Sequence, residues 1–210
     1  MQSLTELARS LLDVRAVIQW GGIAGITAIV FVETGLFFGF FLPGDSLLVT
    51  AGILAAAGVL DIRLLLMFAA IAAVVGDQTG FFIGRNAGQA LVHRYEKFRE
   101  HLERAHTFYE KYGPKTVVFA RFIPIVRTFV PAVAGAARME YRRFVTYNIF
   151  GGVLWVFSTS LLGYGLGRTI PSIERYLHLV IAIVIFLSIL PSILEWRKHK
   201  KQQALSNQQK

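Results

Sequence analysis

The chain has 210 residues, 54% of them hydrophobic, no cysteine and a formal charge of +9, with a mean hydropathy of +0.52. Disulfides, thiolate metal sites and thiol nucleophiles are therefore excluded. The apolar residues lie in long blocks, which makes this an integral membrane protein, and its basic excess reports topology and contact with anionic headgroups instead of nucleic acid.

Taken in order, residues 1–19 mix charge with leucine and lack the basic start, apolar centre and small-residue cleavage site of a signal peptide. They predict a short interfacial helix. Apolar blocks follow at about 20–42, 46–60, 64–84, 116–137, 144–167 and 176–194. A span needs about 20 apolar residues, so six blocks do not mean six spans.

Charge orders them. Seven Lys/Arg lie from Arg85 to Lys115, three more in 138–143 and five after Trp196, against Arg9, Arg15, Arg63, Arg168 and Arg175 elsewhere. With positive charge inside, the chain starts outside, 64–84 crosses inward, 144–167 outward, and 176–196 inward to a cytoplasmic tail at 197–210. Segment 116–137 then begins and ends on the cytoplasmic side. Pro124 and Pro131 suit it to re-entry, since each removes a backbone donor, and broken backbone survives at membrane depth only inside protein or beside a wet cavity. Segment 20–60, with Pro43 and Gly44 near its middle, is read as a second hairpin entering from outside; two ordinary spans would also fit.

A shift of 83 residues lays Ala51-Gly52 on Ala134-Gly135, and Gly80, Gly84 and Arg85 on Gly163, Gly167 and Arg168. The predicted fold is one all-α membrane domain: an inverted repeat of re-entrant hairpin plus transmembrane helix (20–85 and 116–168), with an extra C-terminal transmembrane helix. Between the repeats, 86–115 carries an apolar face from Leu91 to Tyr112, an amphipathic helix on the cytoplasmic surface or a cap on the bundle. His93, His101 and His106 lack metal-ligand spacing and read as solvated. Neither a metal nor a cofactor is expected.

Glu33, Asp45, Asp77, Arg121 and Arg127 lie at membrane depth. Each Asp or Arg facing lipid would cost about 2.5–3.5 kcal/mol, so they must face protein, water or one another. Six residues from Arg121 to Arg127 turn a helix by about 600°, and twelve from Glu33 to Asp45 by about 1200°, so neither pair shares a face of a straight helix. The break at Pro124, like the one at Pro43 and Gly44, lets both members of a pair reach one cavity.

Two readings follow. In one, acids and arginines neutralise each other and pin the hairpins together. In the other, Arg121 and Arg127 bind an anionic headgroup, arginine's fork suiting phosphate, while Glu33 and Asp45 exchange protons. Asp77 either hydrogen-bonds to the inner hairpin, the favoured reading, or joins the proton path; Asn148 and Trp155 are read as helix-packing residues, the amide able to bridge helices.

The stretches "VETGLFFGFFLPGDSLL", "VVGDQTGFFIGR", "ARFIPIVRTFVPAVAG" and "YNIFGGVLW", in this order, resemble the DedA family of bacterial inner-membrane proteins, whose eukaryotic relatives share the VTT domain. The resemblance runs from about Glu33 to Arg168. It implies two inverted re-entrant hairpins and a lipid transporter or scramblase. Bacterial members are linked to returning undecaprenyl phosphate from the outer leaflet to the inner and to dependence on proton motive force. The family's functional acids fall on Glu33 and Asp45 and its functional arginines on Arg121 and Arg127. The implied partners are a polyprenyl phosphate or phospholipid, the membrane and protons; a homo-oligomer is compatible. The competing reading is a proton or cation antiporter serving pH homeostasis. An enzyme is not expected, since no thiol, core histidine or carboxylate cluster equips the chain for hydrolysis.

Overall fold

Six helices make up a computed structural model that describes residues 14–36, 44–94 and 115–170. They are α1 (Val14–Gly35), α2 (Gly44–Ala56), α3 (Ile62–Arg94), α4 (Lys115–Ala120), α5 (Pro124–Ala136) and α6 (Tyr141–Thr169), with no strand among the described residues. Pro43, most of the predicted amphipathic segment, the last predicted transmembrane helix and the basic tail lie outside them.

Length separates the helices into two kinds. Ile62–Ala87 and Tyr141–Thr169 are apolar stretches of 26 and 29 residues. At 1.5 Å per residue each is about 40 Å long, enough for a hydrocarbon core of about 30 Å. α2 and α5 have 13 residues each, about 20 Å, too short to cross. Phe119, Phe150, Leu162 and Ile71 are among many large apolar side chains left exposed, the surface expected of a chain solvated by lipid tails.

Local chemistry sets the helix ends. Asp61 Oδ1 accepts the backbone N–H groups of Arg63 (2.7 Å) and Leu64 (3.2 Å), satisfying donors that the first turn of α3 leaves open. Pro124 opens α5 at a position where its missing N–H costs nothing. In α1, Gly22 has φ 50° and ψ −141°, so the helix is kinked there; only glycine takes that backbone without strain.

Three expected boundaries move. Of the interfacial helix expected over 1–19, residues 14–19 belong to α1, which kinks at Gly22, and 1–13 lie outside the described residues. α3 runs without interruption past Arg85 to Arg94, into the segment expected to lie along the surface, because no proline stops it before Pro114. Pro131 sits inside α5 and does not end it. The break in 116–137 is the turn at 121–123, directly before Pro124.

Each short helix packs on the distant long one, α2 on α6 and α5 on α3. Glycine makes this possible. A Cβ on Gly163 would overlap the carbonyl of Val49, and one on Gly52 the carbonyl of Ser160; a Cβ on Gly84 would overlap the carbonyl of Ala132, and one on Gly135 that of Phe81. Such backbone contact is how membrane helices associate where burial of apolar surface gives no advantage over lipid. Contacts advance together along both members of each pair, Val49 to Gly163 and Ile53 to Gly167, Pro131 to Gly80 and Gly135 to Arg85, so the partners run parallel.

The contacts refine the 83-residue shift. Ala132 lies 83 residues beyond Val49, but Gly163 lies 79 beyond Gly84. The long helices are slipped by four residues, one turn, which keeps the same face toward the partner.

α1 lies against α3, and Ile26, Val30, Leu47, Leu48, Leu65, Ala69, Ala73 and Trp155 form one buried cluster beneath the charged residues. A second, with Phe81 stacked on Phe144 at 4.4 Å, closes the other side of α3.

Candidate functional site: a buried cluster of two arginines and three carboxylates

Helix ends deliver most of the charged residues to one place. Glu33 stands in the last turn of α1 and Asp45 in the first turn of α2. Arg121 occupies the turn before Pro124, and Arg127 the first turn of α5. α3 contributes Asp77, and α6 contributes Asn148 and Trp155. All are buried except Asp45, whose side chain is 18% exposed.

Arg127 divides its fork. Nη1 donates to Asp45 Oδ1 at 2.6 Å and Nη2 to Glu33 Oε1. Glu33 at the end of α1 and Asp45 at the start of α2 are thus joined through one arginine of α5. Gly44 is part of this fit, since a Cβ there would fall on Glu33 Oε2.

Arg121 is held separately. Nη1 donates to Asp77 Oδ2 and to Asn148 Oδ1 (2.8 Å), and Nη2 to the Ala73 carbonyl (3.3 Å). Asn148 completes the link by donating from Nδ2 to the Val74 carbonyl at 3.0 Å. Gly151 and Gly152 let α6 come close to Val118 and the Arg121 side chain.

Trp155 lies between the groups. The guanidinium carbon of Arg127 is 4.6 Å from its ring centroid and that of Arg121 is 5.6 Å away, both within cation–π range. Its indole Nε1 donates to Asp45 Oδ1 at 2.8 Å.

Two features bear on chemistry. Three carboxylates meet two guanidinium groups, so the fully ionised cluster carries one negative charge in excess, a costly state away from water. In addition, Glu33 Oε2, Arg121 Nε and Arg127 Nε are buried without a hydrogen-bond partner among the described residues. One proton and one acceptor-rich ligand would settle both, an acid taking the proton and the Nε donors a phosphate oxygen.

The charged residues singled out in the sequence come together, acid on arginine: Arg127 holds Glu33 and Asp45, and Arg121 holds Asp77. Which acid meets which arginine is what the sequence left open. Asn148 does more than pack, since it hydrogen-bonds Arg121. Trp155 was read as packing and is a member of the site. A signal was present: tryptophan favours the membrane interface, whereas Trp155 lies deep inside an apolar block, where its N–H needs a buried acceptor.

Residues 42–165 match the VTT domain family model. The chain is 45% identical over 181 residues, 84% of its length and 82% of the relative's, to Protein DedA of Escherichia coli strain K12. It is 45% identical to an uncharacterized membrane protein of Mycobacterium tuberculosis, with 81% and 76% of the two chains covered. A further relative, inner membrane protein YqjA of E. coli K12, is 34% identical over 77% of this chain and 74% of its own. No solved structure matches with significance.

Proposed function

Given that the chain belongs to the DedA family of VTT-domain membrane proteins, we propose that it moves an anionic lipid, a polyprenyl phosphate such as undecaprenyl phosphate or a phospholipid, across the bacterial inner membrane at the expense of the proton gradient. One observation carries this reading: a single buried arginine, Arg127 on α5, is shared by two carboxylates, Glu33 from α1 and Asp45 from α2. Carboxylate oxygens on an arginine fork mark positions that phosphate oxygens also fill well. A phosphate taking the fork displaces a carboxylate, and a displaced, buried carboxylate is stable only with a proton. Anion binding and proton uptake are then one event.

The surrounding fold suits this role. α2 and α5 are too short to span, and Asp45 in the first turn of α2 and Glu33 in the last turn of α1 meet Arg127 in the first turn of α5, which supports reading them as parts of two re-entrant hairpins entering from opposite faces. The basic connections support a cytoplasmic side for the segment between the repeats and for the C-terminus. Arg121, with Asp77, Asn148 and the Ala73 carbonyl around it, acts as the fixed post beside the exchanging one.

Reconstituted vesicles test the proposal. Labelled polyprenyl phosphate is expected to change leaflets when a pH gradient is imposed, and this movement should fall to background with Arg127→Ala. Arg143→Ala should leave it unchanged, because Arg143 is exposed and its pairing with Glu140 is of the surface kind that is worth little. Proton flux without lipid movement would instead favour an antiporter, and an unchanged rate in Arg127→Ala would remove the phosphate site.

A further inference from the structure

The two acids on Arg127 are not equivalent. We infer that Glu33, and not Asp45, is the carboxylate that takes up and gives back the proton, and that Trp155 is the positioning residue that keeps Asp45 a permanent anion. This rests on the proposed proton exchange at the site and divides the labour within it.

Three independent features separate the acids. First, Asp45 Oδ1 accepts two donors, Arg127 Nη1 and Trp155 Nε1, so the loss of Arg127 to a ligand leaves it still bonded. Glu33 accepts from Arg127 Nη2, and its Oε2 is buried without a partner among the described residues. A protonated acid has an O–H in place of one bare oxygen; Oε2 is the atom free to carry it.

Second, the helix ends act oppositely. Asp45 lies in the first turn of α2, where the unpaired N–H groups favour a negative charge, and Glu33 in the last turn of α1, where unpaired carbonyls oppose one. Third, Glu33's side chain is 2% exposed and Asp45's 18%, so water screens the aspartate better. Among the described residues, the charged groups around Glu33 are Arg127 on α5, Asp45 on α2 and, without a direct bond, Arg121 in the turn before α5, which is committed to Asp77 on α3. The like charge is mutual and Arg127 relieves both acids, so what Asp45 has in addition is the Trp155 donor and its greater exposure.

The exchange balances simply. An anion takes Nη2 of Arg127, Glu33 leaves the fork, and its carboxylate binds one proton from the water on the open side. When the anion departs, Glu33 returns to Nη2 and gives that proton to water on the other side. Throughout, Asp45 stays charged on Trp155, which lets the site reset without losing its second counter-ion.

Infrared difference spectra between acidic and alkaline buffer read this without any lipid, on purified full-length protein. The expected result is one buried protonated carboxyl band in the wild type, kept in Asp45→Asn and Asp77→Asn and lost in Glu33→Gln. Glu33→Asp should move that band, which covers the case of a Gln variant that fails to fold. In Trp155→Phe, which keeps the ring and removes the N–H, a second carboxyl band is expected as Asp45 becomes able to protonate. A merely structural role for the tryptophan would not add it. The inference is overturned if the band vanishes in Asp45→Asn and persists in Glu33→Gln, or if Trp155→Phe leaves a single band unchanged. Because no lipid enters the experiment, an idle wild type in the vesicle assay would count against the transport proposal and not against this one.

Discussion

Arg127→Ala is expected to abolish lipid movement and to destabilise the protein, and the two effects separate. Glu33 and Asp45 would then face each other without the cation that joins them. Breaking a buried ion pair from one side costs about 3–5 kcal/mol, less whatever is recovered when an acid takes a proton. Removing the excess charge as well, in Arg127→Ala with Glu33→Gln, should recover much of the stability, since Asp45 keeps the Trp155 N–H. Transport should not return, because the fork that meets phosphate is gone. Arg127→Lys keeps the charge but offers a point donor where a planar fork bridges two acceptors. Losing one charge-assisted hydrogen bond, about 1.5–3 kcal/mol, should cost about tenfold to a hundredfold in activity. Vesicle translocation together with thermal melting in detergent reads both effects, and a double variant that transports would contradict the assignment.

The second large effect comes from backbone packing. Gly163→Val and Gly84→Val each place side-chain atoms on a carbonyl of the partnered short helix, Val49 and Ala132 respectively. Backbone cannot yield as a flexible side chain does, so each change is expected to cost about 3 kcal/mol or more and to move α2 or α5 off its long helix. Asp45 rides on α2 and Arg127 on α5. Either variant should thus lose transport together with melting temperature, although neither glycine touches a charged group. As a contrast, Gly165 has open space at its Cβ position, so Gly165→Ala should melt close to wild type. Equal melting of all three would show that the close approaches do not hold α2 and α5 on their long helices.

Much of this was legible from sequence because charges in an apolar chain have few places to go. The cost of exposing Glu33, Asp45, Asp77, Arg121 or Arg127 to lipid requires them to meet protein, and proline and glycine nearby marked the breaks that bring them together. The long helices followed from block length, and their boundaries less well. α3 continues to Arg94 because apolar length does not register a helix that keeps going once polar residues begin, and α1 bends at Gly22 because of a glycine backbone conformation that hydropathy does not record.

Pairing was hidden for a different reason. Which acid reaches which arginine depends on how far α6 slides along α2 and α3 along α5, a one-turn choice that keeps every glycine on the same face. Spacing within the chain cannot distinguish those registers. Trp155 was obscured because a tryptophan in a run such as "GGVLWVF" has the same apolar pattern whether its N–H has a partner or not.

Proton uptake on lipid binding tests the central claim most directly. Polyprenyl phosphate is added to the purified protein in weakly buffered detergent containing a pH indicator. The account predicts uptake approaching one proton per lipid bound, abolished in Glu33→Gln and absent in Arg127→Ala along with binding itself. Lipid binding with no change in pH, or the same uptake in Glu33→Gln, would contradict it.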